Sequence, residues 1–462
     1  MSDDKKTSVW SKYTEAERAA VDELARGYID FLSDCKTERE SVTEAVRLAQ
    51  AAGYRDLADV IAAGAKLKAR DKVYAVNMKK AVVLFHIGTE PMERGMNILG
   101  AHIDTCRLDV KQNPLYEDNG LAYFDTHYYG GIKKYQWVTI PLALHGVVVK
   151  KDGTVVEITL GEKADDPVFC VTDLLVHLSQ EQLEKKASKV IEGEKLDVLI
   201  GGYALKKEDK ESVKDGILAL LKEYYDIAEE DFNSAELTLV PAGRARELGF
   251  DRSMVLGYGQ DDRVCSYTAL RSMLETDTPK RTACCLLVDK EEIGSVGATG
   301  MQSRFFENMV AEVLSACGQY TEIALRRTLA HSKMLSSDVS SAYDALYADA
   351  FEKKNVAYLG RGMVFNKFTG ARGKSGSSDA SAEYLGQLRR MMDENNVSYQ
   401  LAELGRVDLG GGGTIAYIMA RYGMDVIDNG VAVMSMHAPW EVTSKVDIYE
   451  MKKGYDVFLR NA

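Results

Sequence analysis

The sequence lacks the features that mark secreted and membrane-spanning proteins. No uninterrupted apolar run reaches about 18 residues, the length that a membrane span needs. The N-terminal stretch has no apolar segment typical of a signal peptide. The seven cysteines form no CxxC pair and fall mostly in apolar surroundings, as buried thiols do in a reducing compartment. We therefore expect a soluble, cytoplasmic protein with no membrane partner.

An excess of positive charge is also absent. The chain has 58 Lys and Arg against 70 Asp and Glu, a net charge of -12. The field of such a protein repels phosphate groups, which argues against nucleic acid as a partner. Repeats and low-complexity segments are missing as well. The 462 residues, 46% hydrophobic and 28% charged, are typical of a globular protein of two or three domains.

Apolar patterns predict an α/β protein whose mostly parallel central sheet is flanked by helices. Thr14 and Glu17 form a capping-box pattern before one helix, and a second helix is predicted up to Gly53. Three strand-like runs follow, and a regular alternation of helices and apolar strands returns after about residue 245. That alternation is typical of a parallel sheet covered on both faces.

The middle of the chain has a different residue pattern. From about residue 112 aromatic and β-branched residues alternate, and Lys151-Asp152-Gly153 marks a β-hairpin. The block ends in a charged stretch, 206–225, that is predicted to be helical. We therefore expect a first domain in two parts, 1–111 and 245–462, with a β-rich domain inserted at 112–244.

Polar side chains recur where apolar strands end. His102 and Asp104 end one strand, Glu291 and Glu292 end another, and His437 follows a third. Ligands bind at the carboxyl ends of strands in open α/β sheets, so we expect these ends to converge. Neighbouring residues of an extended chain point to opposite faces, so the two glutamates can have separate roles. A solvated acidic turn is the alternative.

The adjacent Asp261 and Asp262 indicate a metal centre. Two aspartates in a tight turn repel each other unless a cation or hydrogen bonds offset their charge, although a solvated turn would also accommodate them. Asp338 follows a further strand. With one aspartate of this pair, one of the two adjacent glutamates, His102 and His437, it makes a set of five potential ligands. Five ligands suit two divalent ions with positions left open for water and substrate. Taken singly, each histidine also fits a structural role.

Six segments carry a family resemblance. Their order and composition are similar to those of the aspartyl aminopeptidase family of dinuclear zinc metallopeptidases: GAHIDTCRLDVK, GYGQDDR, DKEEIGSVG, LSSDVSSAYD, GARGKSGSSDASAEY and MSMHAPWEV. The resemblance covers nearly the whole chain and implies a zinc-peptidase-like catalytic domain. The inserted β-rich block falls where that family has its dimerisation domain, which implies a homo-oligomer built from dimers, up to a dodecamer.

The resemblance assigns the metal ligands. It implies that His102 and Asp338 hold one zinc ion, that Glu292 and His437 hold the other, and that Asp261 bridges the two. Cobalt or manganese can substitute for zinc in such sites. Asp104 is expected to orient the neighbouring His102 by holding the ring nitrogen that does not bind the metal.

The resemblance also assigns catalytic and substrate-binding roles. It implies that Glu291 is the general base for a water held between two metals, which attacks the first peptide bond of a short peptide. The peptide bond between Asp261 and Asp262 is expected to be cis. His177, on a predicted apolar strand, would reach a neighbouring subunit's site and steady the tetrahedral intermediate.

Lys367 matches a family lysine that binds an acidic substrate side chain, although Arg372 and Lys374 lie close by. Ser341 stands where typical members have a histidine. We therefore expect acidic first residues to be preferred only modestly.

Other functions compete with this prediction. The glycines of DLGGGGTIAYIMARYG could cradle a phosphate, but the GxGxxG pattern of an early βαβ unit is absent, and backbone N–H groups beside a substrate pocket fit better. A dinuclear deacylase or carboxypeptidase would need a pocket for a substrate carboxylate. A metal-stabilised scaffold would keep the ligands but has no use for Glu291.

Overall fold

A computed structural model describes residues 8–207 and 210–462 of the chain. The helices in this part are numbered in chain order: α1 Glu15–Asp34, α2 Glu38–Ala51, α3 Leu57–Ala62, α4 Gln180–Leu183, α5 Ala187–Val190, α6 Val213–Tyr225, α7 Gln260–Glu275, α8 Phe305–Ala316, α9 Glu322–Ala330, α10 Ala382–Glu394, α11 Ala416–Ala420 and α12 Lys445–Asn461. None of these described helices is long and apolar enough to cross a membrane.

The strands, in the same order, are β1 Arg55–Asp56, β2 Lys72–Asn77, β3 Ala81–His86, β4 Met96–His102, β5 Arg107–Asp118, β6 Leu121–Tyr129, β7 Leu142–Val149, β8 Val155–Leu160, β9 Val198–Gly201, β10 Leu205–Lys207, β11 Lys210–Ser212, β12 Ala235–Pro241, β13 Arg246–Leu248, β14 Met254–Gly257, β15 Thr282–Val288, β16 Lys333–Ser337, β17 Ser340–Ser341, β18 Met363–Asn366, β19 Tyr399–Leu401, β20 Asp425–Gly430, β21 Ala432–Met434 and β22 Glu441–Ser444. The chain is thus a mixed α/β protein.

The described residues form two compact units. The first contains the chain up to Asp104, together with Ala245–Met436 and Glu441–Ala462; the second contains Thr105–Arg244 and His437–Trp440. The sequence predicted the first boundary after residue 111 and placed His437 in the catalytic part, 245–462.

A nine-stranded sheet is the centre of the first unit. Its strand order is β1-β2-β3-β15-β4-β16-β20-β18-β19. The four central strands β15, β4, β16 and β20 are parallel, whereas β3 and β18 run antiparallel to their inner neighbours. The sheet is therefore mixed, with its parallel part where the predicted site residues follow the strands.

Both faces of this sheet are buried. Successive residues of β4 enter different cores: Leu99 packs with α1, α2, α7 and α12 on one face, and Ile98 packs with α3, α8, α9 and α11 on the other. The same alternation holds for Cys285 and Cys284 of β15. Strands buried on both faces read as continuous apolar runs, which is why the sequence shows them so clearly.

Several local predictions are confirmed. Thr14 and Glu17 form a capping box at the start of α1. Helix α2 ends at Ala51, and Gly53 follows in the left-handed region at φ 85°. Strands β7 and β8 form the predicted hairpin around Gly153.

The second unit contains a six-stranded antiparallel sheet, β8-β7-β12-β5-β6-β9, and the small hairpin β10-β11. The predicted helix at 206–225 is only partly right, because α6 begins at Val213 after that hairpin. Residues 208 and 209 of this prediction lie outside the described residues. Ser212 caps α6 by accepting a hydrogen bond from the backbone N–H of Asp215 at 3.1 Å.

Candidate metal centre

His102, Asp261 and Asp338 meet in the first unit. One potential ligand atom from each lies within 4.8 Å of the other two. His102 ends β4 and Asp338 follows the neighbouring parallel strand β16, so the two side chains reach the same edge of the sheet. Asp261 comes from the first turn of α7, and its Oδ1 lies 3.1 Å from His102 Nε2. An imidazole nitrogen and two carboxylates are suitable ligands for a zinc ion.

The first turn of α7 is irregular where it carries Asp261. Gly259 precedes it in the left-handed region at φ 71°, and Asp261 and Asp262 both have non-helical backbone angles. The peptide bond between the two aspartates is cis, as expected. The buried Arg263 donates to the backbone oxygen of Gly259 at 3.0 Å, and Glu441 accepts the N–H of Asp261 at 3.1 Å.

Arg263 and Glu441, which support this turn, were not predicted from the sequence. The signal was their position inside the GYGQDDR and MSMHAPWEV motifs. Cys106 of the second unit was not predicted either. Its Sγ lies within 4.8 Å of a ring nitrogen of His437, so both atoms could bind the same ion.

Charge in the cluster is tightly packed. Burial raises the pKa of Asp338 well above its usual range, and the carboxylates of Asp261 and Glu291 raise it further. Burial alone would lower the pKa of His102, but its hydrogen bonds to Asp104 and Asp261 raise that pKa well above the ordinary value. A bound cation would relieve the repulsion among these carboxylates. The donor set and its electrostatics therefore fit a divalent metal.

Asp104 links the cluster to the glutamate segment. Its Oδ1 lies 3.3 Å from His102 Nδ1, and the backbone oxygen of Asp104 lies 3.0 Å from the same ring nitrogen. The Asp104 carboxylate also accepts the N–H groups of Glu291 and Glu292, at 3.1 and 3.2 Å. The aspartate is completely buried.

Glu291 and Glu292 lie in a 3-10 turn, Glu291–Ile293, and not in an extended segment. The prediction that the two side chains diverge because the chain is extended is therefore wrong in its reason. They diverge because successive side chains of a 3-10 helix are rotated by about a third of a turn. Glu291 points to the cluster, with its Oε2 3.9 Å from His102 Nε2. Lys290 before the turn and Gly294 after it are both left-handed.

The remaining predicted residues are distributed between the units. Glu292 belongs to the first unit and His437 to the second, where His437 Nδ1 lies 2.9 Å from the backbone oxygen of Gly131. His177 is exposed and lies in a 3-10 turn, Val176–Leu178, whereas an apolar strand was predicted. Ser341 is half-buried on β17.

Lys367 directly follows β18 in the first unit. Its Nζ lies 2.5 Å from the carboxylate of Asp379.

The glycine-rich segment packs against the loop that contains Lys367. The N–H of Gly370 donates to the oxygen of Gly412 at 2.8 Å, and a Cβ on Gly411 would come within 2.1 Å of the Gly370 oxygen. Gly411 also has φ 124°. These glycines therefore allow two backbones to approach each other closely.

Comparisons with known proteins identify the family of the chain. Residues 31–459 match the family model described as aminopeptidase I zinc metalloprotease (M18). A curated protein of Clostridium acetobutylicum, named "Probable M18 family aminopeptidase 1", is 60% identical over 455 residues, which cover 98% of each chain.

Two crystal structures share the fold. Aminopeptidase I from Clostridium acetobutylicum has a TM-score of 0.92 and 58% identity, covering 98% of this chain and 99% of that one. The M18 family aminopeptidase from Thermotoga maritima has a TM-score of 0.94 and 42% identity, covering 99% of both chains. The chain belongs to the M18 family of zinc metallopeptidases and is an aminopeptidase.

Proposed function

We propose that this aminopeptidase removes N-terminal residues from short peptides with two divalent ions per chain, and that zinc is the metal. The observation that carries the proposal is the group of His102, Asp261 and Asp338, whose ligand atoms lie within 4.8 Å of one another, with the Glu291 carboxylate beside it. Cobalt and manganese are alternatives with similar ligand preferences. In this proposal Asp261 would be shared between the two ions, and Glu292 and His437 would hold the second one.

Such a pair of ions would lower the pKa of a water molecule and polarise the carbonyl of the first peptide bond. Glu291 then has two tasks. Its carboxylate takes the proton from the attacking water and delivers it to the amine nitrogen as the C–N bond breaks. The short 3-10 turn and the two N–H contacts to Asp104 support this role, because they hold the base at a fixed position relative to His102.

The proposal includes a modest preference for acidic first residues. Lys367 would meet the substrate carboxylate without the histidine that typical family members have at the position of Ser341. An exposed ammonium contributes little to binding a carboxylate in water, which supports a weak rather than an exclusive preference.

A homo-oligomer built from dimers, up to a dodecamer, is part of the same proposal. The support is the apolar surface around His177, where Leu174, Leu175, Val176 and Leu178 are each 49 to 70% exposed. Contiguous exposed apolar side chains on a folded protein mark interaction sites. His177 would then reach the partner's site, where its ring N–H stabilises the oxyanion.

A cytoplasmic location is a further proposal, supported by the seven cysteines, all of which lie in the described part of the chain and none of which forms a disulfide.

A panel of dipeptides that differ only in the first residue tests the function. The protein is stripped with a chelator and then supplied with zinc, cobalt or manganese, and hydrolysis is followed by chromatography. We expect activity only after metal is restored, and metal analysis of the active protein should approach two ions per chain. Full activity of the stripped protein would contradict the mechanism.

N-acetylated dipeptides are the matched control. An aminopeptidase needs the free α-amino group and should not cleave them, whereas a deacylase or a carboxypeptidase should. Metal uptake without hydrolysis of any peptide would favour a metal-stabilised scaffold.

A further inference from the structure

The carboxylate of Asp379 lies between two lysine side chains. Lys367 Nζ is 2.5 Å from Oδ1, and Lys374 Nζ is 3.1 Å from Oδ2. Hydrogen bonds from Lys367 and then Lys374 lower the pKa of Asp379 below its ordinary value. Both oxygens of one ionised carboxylate are thus matched to two ammonium groups, an arrangement that an acidic peptide side chain could also adopt.

The loop that contains these residues is tied to the metal centre. Asn366, immediately before Lys367, donates its side-chain amide to Ser340 Oγ at 3.3 Å. Ser340 is two residues beyond Asp338, and the N–H of Asp338 in turn donates to the oxygen of Asn429 on the neighbouring β20. Lys367 therefore directly follows a residue that contacts the segment of Asp338, one of the candidate metal ligands.

Asp379 is held at a defined position in this loop. Its N–H donates to Ser377 Oγ at 3.2 Å, and its backbone is left-handed at φ 42°. The next residue, Ala380, donates its N–H to the oxygen of Lys367 at 2.7 Å and closes the loop. Asp tolerates the left-handed region better than most residues, so the sequence can present the carboxylate here.

We propose that Asp379 is an internal occupant of an acidic-side-chain subsite formed by Lys367 and Lys374. The side chain of an N-terminal Asp or Glu binds by displacing Asp379 from the two ammonium groups, whereas a neutral first residue has no such competitor to displace. Asp379 therefore weakens the preference for acidic substrates. This inference rests on the proposed function, in which Lys367 meets the substrate side chain.

The displacement is feasible because the two ion pairs are partly exposed. The side chains of Lys367, Lys374 and Asp379 are 40, 46 and 41% exposed. Exposed pairs are weak, so a substrate carboxylate can compete with them. We expect removal of the competing charge to change the acidic-to-neutral preference by about threefold to tenfold, the scale of one or two such pairs.

The test is Asp379→Asn, which keeps the size and left-handed preference of the residue but removes its charge. Dipeptides that begin with Asp and Ala are compared as the ratio of their kcat/KM values. We expect the ratio to rise about threefold to tenfold, mainly through a lower KM for the acidic substrate. An unchanged or lower ratio would overturn the inference.

The second unit offers a matched control. Asp226 is also left-handed, at φ 55°, and its carboxylate is also paired with two lysines, Lys150 at 2.5 Å and Lys222. Asp226→Asn removes the same charge from the same local arrangement and should leave the ratio unchanged. An equal rise in both variants would mean that net charge alone causes the change, and would overturn the inference.

Lys367→Met separates this inference from the proposed function. If the Lys367 variant loses its acidic preference while Asp379→Asn has no effect, the subsite is right and the competition by Asp379 is wrong. If neither variant changes the ratio, both assignments are wrong, although the aminopeptidase activity stands. If the wild type with restored metal cleaves no dipeptide, the proposed function fails and the inference fails with it.

Discussion

The backbone N–H of Glu291 donates to the carboxylate of Asp104 at 3.1 Å. The same carboxylate lies 3.3 Å from the ring of His102. One buried aspartate therefore contacts two groups, the candidate metal ligand His102 and the candidate general base Glu291. Groups that orient metal ligands in this way are usually needed for full metal affinity.

Asp104→Ala should therefore weaken metal binding and turnover by about 10- to 100-fold each, because the ring and the glutamate turn lose their common support. Asp104→Asn should be milder, since the amide oxygen still accepts one of the two N–H groups. Metal content after dialysis and kcat are the measurements. A metal-loaded Asp104→Ala protein with normal kcat would contradict the role of this link.

The two adjacent glutamates should respond differently to the same substitution. Glu291→Gln should keep the metal while losing about 10²- to 10⁴-fold in turnover, the usual contribution of a positioned general base. Glu292→Gln should lose metal as well, because an amide is a poorer ligand. Metal analysis and kcat of both variants decide this. Equal metal content and similar rates would show that the division of roles is wrong.

Position 341 should control how strongly acidic first residues are preferred. Ser341→His restores the residue that typical family members have there, and a protonated or hydrogen-bonding ring would add a second partner for the substrate carboxylate. We expect the ratio of kcat/KM for Asp-Ala over Ala-Ala to rise relative to the wild type. Ser341→Asn, similar in polarity but neutral, is the control. If the wild type already cleaves only substrates with acidic first residues, Ser341 does not weaken that preference and the prediction is wrong.

His177 should act in the partner's site. His177→Ala and Glu291→Gln chains, each inactive alone, should recover part of the activity when mixed under conditions of subunit exchange. A mixed dimer has one site that contains both intact residues. Mass spectrometry of differently labelled chains verifies the exchange. Proven exchange without recovery would place His177 in its own chain's site or outside the mechanism.

His86 should make the protein less stable in mild acid. Burial, with a smaller contribution from Lys72, lowers the pKa of this histidine from its ordinary value to about 4. The unfolded chain then binds more protons than the folded one between about pH 6.5 and 4, so stability falls as pH decreases through that range. The expected loss is about 2 kcal/mol at pH 4.5.

His86→Phe should remove that part of the pH dependence, because the ring stays but cannot be protonated. Urea unfolding at pH 4.5 and 7.5 measures the difference for each protein. His331→Phe, at an exposed histidine, is the control. If the free energy of unfolding falls as much between pH 7.5 and 4.5 in His86→Phe as in the wild type, other groups cause the acid sensitivity.

The sequence by itself determined the strands, their approximate ends and the order of the polar residues that follow them. Strands β4 and β15 are buried on both faces, so their mainly apolar runs end abruptly at the polar residues His102 and Asp289. The capping box at Thr14 and the hairpin at Gly153 were predictable for a similar reason, since each depends on residues a few positions apart.

Only the tertiary structure decided what those residues contact. The bond between the Asp104 carboxylate and the Glu291 N–H joins positions 187 residues apart, and the 3-10 turn that directs the two glutamates has no periodic signal. The contact between Lys367 and Asp379 depends on how the 367–380 loop closes. The loop closes through a backbone hydrogen bond from Ala380 to Lys367, and backbone groups leave no signal in the sequence. Local patterns fix local structure, but pairing across the chain is set by packing, and packing placed the three candidate ligands close together.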